Sequence, residues 1–490
     1  MKVKITSSKF QAPSCLEFVI WYLEFGVFSV ITLRPYQLEV ARAVVDSVMN
    51  HKGLTFSVEI ARQGGKNELS AQLEVLLLTL FIERGGNSIK CSPTFKPQTV
   101  ISMMRLKDRL NDWGYGGIWR SELGYIVSLG SAKQIFLSAD ESANVVGNTA
   151  HIVLEIDESQ DVSREKYTKE FKPMGAATNA TTVHYGTTWD DSTLLEEVKQ
   201  LNLELERKDG IQRHFRCDWQ EVARYNPDYL RYVEGEKARL GDNHPLFLTQ
   251  YCLEPIHGGG GFLTAGQRAQ LQGTHIRRRQ PEFSKIYVAG VDLAGVAEDM
   301  GDAGLRALKP RQDSTVVTIA ELDYSVCTDL IPLPQINIVE HWSCAGKSHS
   351  EQYPQLLDVL RNVWHVRRAM VDATGVGAGV ASFLSTALGK SVVIPFQFTQ
   401  SSKSRLGFDL LAAINAGRLK MYVQDGSEEY CGFWFQMSKA KSTFRANQTM
   451  NFYVDPATGH DDFLSSLALL VEAARYTPKI ARGHVRVCDM

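Results

Sequence analysis

In the first half of the chain, short apolar runs alternate with longer segments whose apolar residues return every three or four positions. Phe56, Val58 and Ile60 form a strand pattern, and the Leu- and Ala-rich stretch that ends at Leu80 forms a helical one. Upstream, Leu33-Arg34-Pro35-Tyr36-Gln37 opens a helix through Val40, Val44, Val45 and Val48, with Pro35 suited to its first turn. Downstream come a strand over 87–93, a helix through Val100, Met103, Met104 and Leu106, and short strands over 128–138. Two more strand-like runs follow, at 151–158 and 182–189. Strands alternating with helices predict an α/β fold, a mostly parallel sheet flanked by helices.

The second half changes pattern. Residues 285–291 (KIYVAGV) end at Asp292, 314–322 (STVVTIAEL) alternate as a hairpin partner, and 336–342 (INIVEHW) give a third strand. A helical segment at 353–364 leads to Ala369-Met370-Val371-Asp372, a short apolar strand that again ends in a carboxylate. Ala373-Thr374-Gly375-Val376-Gly377 and a helix follow, then a strand at 391–398 and a helix at 405–416. Gly459-His460-Asp461-Asp462 finally opens a strongly apolar helix over 463–474.

Between the halves, Gly258-Gly259-Gly260-Gly261 cannot hold regular structure cheaply, and Arg277-Arg278-Arg279 follows. The expected organisation is a first domain at 1–255, a solvated linker at 256–284, a second domain at 285–476 and a basic flexible tail at 477–490. The linker arginines are also able to touch a DNA backbone, and the tail DNA or another subunit. Residues 15–33 are apolar and about as long as a membrane span. Glu17 and Glu24 lie inside that stretch, however, and unpaired carboxylates are costly in hydrocarbon. A buried or partner-facing helix fits better, so no membrane association is expected.

Composition narrows the classes. A formal net charge of -2 excludes a uniformly basic nucleic-acid binder, so any DNA surface must be a local patch. The 8 cysteines are scattered with no C-x-x-C, which argues against zinc and a disulfide framework and fits a reducing compartment.

Candidate chemistry sits at the strand ends. After Ile60 comes Ala61-Arg62-Gln63-Gly64-Gly65-Lys66-Asn67, a glycine-bearing loop between strand and helix. Loop amides and a helix N-terminus can face a polyphosphate while a lysine reaches its outer phosphates. The usual spacing has Gly where Ile60 stands and Ser or Thr where Asn67 stands, so alone the loop is equally an ordinary strand-to-helix turn. Gln37 has the donor and acceptor to read an adenine edge, and equally suits the surface of an amphipathic helix. Asp157-Glu158 ends an apolar strand, interrupted by Glu155, as a nucleotide hydrolase requires: the aspartate for magnesium, the glutamate for the attacking water. Gly186-Thr187-Thr188 ends another strand, where ATP-driven motors place small hydroxyl residues that sense the γ-phosphate. Arg120, Arg164 and Arg213 are equal candidates for an arginine finger.

In the second half Asp292, Asp372 and Asp461 lie far apart in sequence. They can meet only if the strands that carry them are neighbours and the last helix packs against those strands, the arrangement of ribonuclease H-like nucleases. Two metal ions about 4 Å apart need such convergent carboxylates. Any one of the three is equally a turn residue or a helix N-cap, and Asp461 suits a cap well.

In their order and intervals, Gln37, Arg62-Gln63-Gly64-Gly65-Lys66, Asp157-Glu158 and Gly186-Thr187-Thr188 resemble the ATPase half of the large terminase subunit of tailed bacteriophages. That family packages DNA into procapsids and tolerates a loop without its first glycine. Asn67 departs from its commoner Ser or Thr, although an amide oxygen can enter a magnesium shell. The acidic sites of the second half are similar in order to the nuclease half of the same family, so the resemblance covers roughly residues 33–476. It implies ATP and Mg2+ as cofactors, with Mn2+ an option at the nuclease. It places Gln37, Arg62, Gln63, Gly64, Gly65, Lys66, Asn67, Asp157 and Thr187 around the nucleotide, with Glu158 catalytic. Metals would rest on Asp292, Asp372 and Asp461, with Asp462 sharing the third position or supporting it from behind. His460 has a role at the metals or a structural one, and Asp313 is a weaker candidate. The implied partners are double-stranded DNA, a small terminase subunit, a portal protein and further copies in a ring, in the host-cell cytoplasm. Two other readings compete. A helicase-like or repair ATPase with a DNA-binding second domain predicts that the aspartates do not converge. A nuclease on a degenerate ATPase scaffold predicts that Lys66→Ala removes no ATPase activity.

Overall fold

The computed structural model describes residues 32–256, 260–293, 314–328, 331–345, 349–375, 377–445 and 447–477. Most of the apolar stretch at 15–33, together with Gly258, Gly259, Asp313 and the basic end from Lys479, lies outside the described residues. The described chain forms two compact units, 32–233 with 248–256, and 234–247 with 260–477.

The first unit is built on β1 (Thr55–Ile60), β2 (Gly86–Ser92), β3 (Arg120–Glu122), β4 (Ile126–Leu129), β5 (Ala132–Ser138), β6 (Val153–Ile156), β7 (Thr181–Gly186) and β8 (His214–Cys217). Across the sheet the order is β3-β4-β5-β2-β6-β7-β1-β8. The strands run parallel from β5 to β8, and only β3 and β4 are antiparallel. A parallel sheet covered on both faces needs apolar residues throughout, and Val58, Ile89, Leu154 and Val183 are fully buried. Helices α1 (Pro35–Met49), α2 (Lys66–Leu80), α3 (Val100–Leu110) and α4 (Leu194–Asp209) belong to this unit. Pro35 begins α1, and the side chain of Gln37 reaches back to accept from the Arg34 amide at 2.8 Å.

Glu155, the acidic interruption of β6, is fully buried against α2. Its Oε1 lies 2.9 Å from Ser70 Oγ, while Lys90 Nζ of β2 donates to Ser70 Oγ at 2.7 Å and to Glu74 Oε1 at 2.8 Å. Burial and the neighbouring Glu74 charge push the Glu155 carboxyl up to about 8. Burial alone would lower the Lys90 pKa, but Glu74, Glu155 and Asp157 outweigh it and hold the ammonium charged.

The second unit contains β9 (Gly260–Gly261), β10 (Ile286–Asp292), β11 (Ser314–Asp323), β12 (Gln335–Ala345), β13 (Arg368–Asp372), β14 (Val393–Phe396), β15 (Leu419–Lys420), β16 (Ala440–Phe444) and β17 (Met450–Val454). Its main sheet has the order β14-β13-β10-β11-β12-β15. β10, β11 and β12 form an antiparallel meander, and β13 joins β10 in parallel. Helices α5 (Gly377–Leu388), α6 (Gln400–Asn415) and α7 (Asp462–Arg475) follow the chain. A core of Tyr287, Val291, Val317, Leu356, Trp364 and Val371 fills one face of the sheet. On the other, α7 lies so close to β10 that Ser466 Oγ donates to Gly290 O at 2.9 Å. A Cβ on Gly290 would overlap Ser466 O, so glycine sets that approach.

Residues 260–284 carry more order than a solvated linker requires. β9 pairs with β16, and a helix covers Ala265–Leu271. Arg277 pairs with Glu340, with Asp425 at 3.2 Å and with Glu429 at 3.3 Å, and Arg278 pairs with Glu321. Carboxylates distant in sequence draw these arginines onto the second unit. The six described cysteines are free, and no described helix is long and apolar enough to cross a membrane.

Candidate functional site

Ile60 is the last, extended residue of β1, so the position where a first loop glycine is usual needs none. The chain then turns sharply, with φ 62° at Gln63 and 92° at Gly65. A Cβ on Gly64 would lie 2.7 Å from both Ala61 O and Ile60 Cγ2, which excludes any larger residue. α1 clamps the loop from above: Tyr36 OH donates to Gly64 O at 2.6 Å and Gln37 Nε2 to Gly65 O at 2.8 Å. Both amide atoms of Gln37 are thus engaged by backbone, and the residue braces the loop instead of presenting its edge outward. Arg62 Nη1 donates to Gln250 Oε1 at 2.7 Å, and its charge also acts on Glu158.

Lys66 opens α2 behind this loop. Its Nζ lies 2.6 Å from Glu158 Oε1 and 3.8 Å from Asp157 Oδ1, beyond the end of β6. Burial would lower the Lys66 pKa, but the two carboxylates outweigh it and raise it. Burial likewise would raise Glu158, but Lys66 and a hydrogen bond from Gln160 hold it low. Glu158 itself stands at φ 48°, a left-handed conformation that aims its side chain back across the sheet edge. Gln160 Nε2 donates to Glu158 Oε2 at 2.8 Å, and Thr187 N donates to Gln160 Oε1 at 3.3 Å. Thr187 therefore joins the group through its amide. Asn67 Oδ1 is buried with no hydrogen-bond partner among the described residues, a spare oxygen donor beside Lys66. Of the arginine candidates, Arg164 pairs with Glu197 at 3.0 Å and Arg213 with Asp209, while Arg120 is exposed on β3.

In the second unit, Val291 and Val371 are paired in register, which brings Asp292 and Asp372 to the same end of the sheet. Asp461 and Asp462 start α7 beside them. Burial, then the charges of Asp462, Asp372 and Asp461, push the Asp292 carboxyl well above the usual range, with Lys403 opposing. Asp372 is raised by burial and partly offset by Thr374, whose amide donates to its Oδ1 at 2.8 Å. Asp462 Oδ2 accepts from Ser314 N at 3.0 Å. Asp461 occupies the N-cap position without a capping bond, its Oδ2 3.9 Å from Lys403 Nζ. Among the described residues, no three His, Cys, Asp or Glu side chains close to metal-holding distances. Asp372, Asp462 and Asp461 have separate partners in Thr374, Ser314 and Lys403.

Sequence reasoning missed Tyr36, Gln160 and Lys403. Gln160 carried one signal, a polar residue two places past the Asp157-Glu158 pair. Lys403 carried none, since its place beside Asp461 depends on how α6 packs.

The fold and these two clusters define a two-unit α/β protein: a parallel sheet with a lysine-bearing glycine loop, and a ribonuclease H-like sheet edged with carboxylates. No protein-family model matches the sequence, and no curated protein matches it. Two of the solved structures that share its architecture are of one protein. One is the large terminase from a thermophilic bacteriophage in complex with ADP, at 11% identity and TM-score 0.50, covering 91% of this chain and 100% of that one. The same large terminase in a second crystal form gives 11% identity and TM-score 0.53, over 90% of this chain and 99% of that one. The likeness is one of fold.

Proposed function

We propose that this protein is a large terminase subunit: an ATPase that drives double-stranded DNA into a procapsid, joined to a metal-dependent endonuclease that cuts concatemeric DNA. The observation that carries the reading is the meeting of Lys66, Asp157 and Glu158 at one edge of a parallel sheet, within 3.8 Å. A large terminase of the same fold was solved with ADP, which supports a nucleotide here.

On this reading Gly64, Gly65 and the α2 amides cradle phosphates, and Lys66 leaves Glu158 to meet the outer ones. Glu158 then orients the attacking water and takes its proton. Asp157 and the spare oxygen of Asn67 are the residues to hold Mg2+. In the second unit, the donor set suits a hard cation: carboxylates from Asp292, Asp372, Asp461 and Asp462, mutually repelling, with one lysine as counter-charge. A metal pair there would lower the pKa of a bound water and stabilise the leaving 3′ oxygen. Asp372 and Asp461 keep an oxygen each for that task, and Asp462 braces the rim through Ser314. A second domain that merely held DNA would gain nothing from repelling carboxylates at one sheet edge. The family reading also supplies a small terminase subunit, a portal protein and a ring of copies as partners, in the host cytoplasm.

The test separates the two sites. Lys66→Ala should reduce ATP turnover by about 100-fold or more while plasmid cutting in Mn2+ persists, and Asp372→Ala should do the reverse. Undiminished ATP turnover in Lys66→Ala would overturn the ATPase assignment, and undiminished cutting in Asp372→Ala the nuclease.

A further inference from the structure

We infer that Gln160 is a positioning residue that couples Glu158 to the end of β7. The inference rests on the nucleotide-hydrolysing reading and deepens it. Gln160 sits in the short turn Ser159–Asp161, directly after the acidic pair, and is buried to 5% exposure despite its polar amide. Its two ends bond in opposite directions: Nε2 donates to Glu158 Oε2 at 2.8 Å and approaches Asp161 Oδ2 at 3.3 Å, while Oε1 accepts from Thr187 N at 3.3 Å. The orientation is fixed by chemistry, because a carboxylate only accepts and a backbone amide only donates.

Gly186 makes the reach available. A Cβ at Gly186 would overlap Gln160 Oε1 and lie 2.6 Å from Leu195 Cδ2, so a larger residue would push the amide out of its place between β7 and α4. The turn is also fastened to β7 by Ser159, whose Oγ is 2.9 Å from His184 Nδ1. Of the two fastenings, only Gln160 also touches a reacting group. Glu158 is shared, with Oε1 on Lys66 and Oε2 on Gln160. When a phosphate takes Lys66, Glu158 loses its charged partner and turns toward the water it must orient. Gln160 stays bonded to the other oxygen, sets the angle of that turn, and carries the movement to Thr187. β7 lies between β6 and β1, so its end is placed to pass a change at the phosphate edge to α4.

Two variants of the full-length chain test this. Gln160→Met keeps the side-chain length and loses both hydrogen bonds; Gln160→Glu keeps the acceptor for Thr187 and loses the donor to Glu158. ATP hydrolysis, binding of a fluorescent ATP analogue and hydrogen exchange over 186–193 with and without ATPγS would be measured. For both variants we expect kcat to fall by about 10-fold or more with KM changed by less than about two-fold. Exchange at 186–193 should depend on nucleotide in the wild type and lose that dependence in Gln160→Met, and a nucleotide-binding wild type without that dependence also overturns the coupling. Wild-type kcat, or retained nucleotide-dependent exchange, in Gln160→Met overturns the coupling while leaving the ATPase standing. A wild-type chain that neither binds nor hydrolyses ATP overturns the ATPase and the coupling together. If Gln160→Met melts far below the wild type, the kcat of the near-isosteric Gln160→Glu decides by the same criterion.

Discussion

A buried ammonium surrounded by few polar atoms cannot lose a partner cheaply, and Lys90 is such a group. It pairs with Glu74 of α2 and faces Glu155 of β6. Lys90→Met would leave two carboxyls buried without a cation, so urea unfolding should show a loss of about 3–5 kcal/mol. Adding Glu74→Leu to that variant should recover much of it, and no recovery would mean the carboxylate is not what the lysine holds. His341 poses the opposite problem. Burial, aided by Arg277, drives its pKa down to about 3, and it packs neutral against Tyr422, Phe433 and Phe463. A base with a depressed folded pKa contributes stability present above its unfolded value near 6.5 and lost as pH falls toward 3. The melting-temperature advantage of wild type over His341→Phe should therefore shrink as pH is lowered from about 7 to about 4. A constant difference across that range would show that His341 does not titrate with unfolding. At this scale the meeting of Lys66 with Asp157 and Glu158, and of the aspartates at one end of a sheet, was legible from residue type and strand-end position, while their chemistry stands as proposed. The sequence was misleading for Glu155, which reads as a flaw in an apolar strand until its partners on α2 and β2 are known.

Among elements, the packing of α7 on β10 determines whether the carboxylates meet at all. Gly290 permits that packing, and a methyl group there would force the helix away from the strand by the overlap at Ser466 O and Leu470 N. Gly290→Ala should destabilise the chain by about 1–3 kcal/mol and cut plasmid DNA at least several-fold more slowly, with ATP turnover unchanged. Normal cutting by a folded Gly290→Ala chain would show that the metal edge tolerates a shifted α7. The strands that the sequence revealed are mostly apolar runs, with β6, β10 and β13 closed by a carboxylate and β7 by a glycine. β3, β8, β9, β15, β16 and β17 were not revealed, being two to five residues long and defined by their neighbours. The ordering of 260–284 was hidden for the same reason. Glu340, Asp425 and Glu429 lie far along the chain from Arg277, and local composition there reports only glycine and charge.

For the whole molecule, two sheets of different topology each carry chemistry at an edge. The first unit has an internally paired lysine and glutamate, the second a set of like charges offset by Lys403. A cation added to the second unit relieves repulsion, so Mg2+ or Mn2+ should raise the unfolding temperature, an effect that Asp292→Asn should reduce. No metal-dependent shift in the wild type would count against carboxylates poised for metal.

The 2.6 Å pair between Lys66 and Glu158 means that the glycine loop carries its own anion, one that on the proposed reading would compete with phosphate for the same ammonium. On the proposed ATPase reading, ATP would displace that anion with its outermost group. ADP would offer less to the lysine, so Glu158 would reclaim it and the spent nucleotide would be expelled from within. Glu158→Gln should thus retain a labelled ADP several-fold longer in stopped-flow chase, and unchanged release would leave the pair with no part in clearing the site. On these terms the residue proposed to aim the water would also reset the site for its next nucleotide.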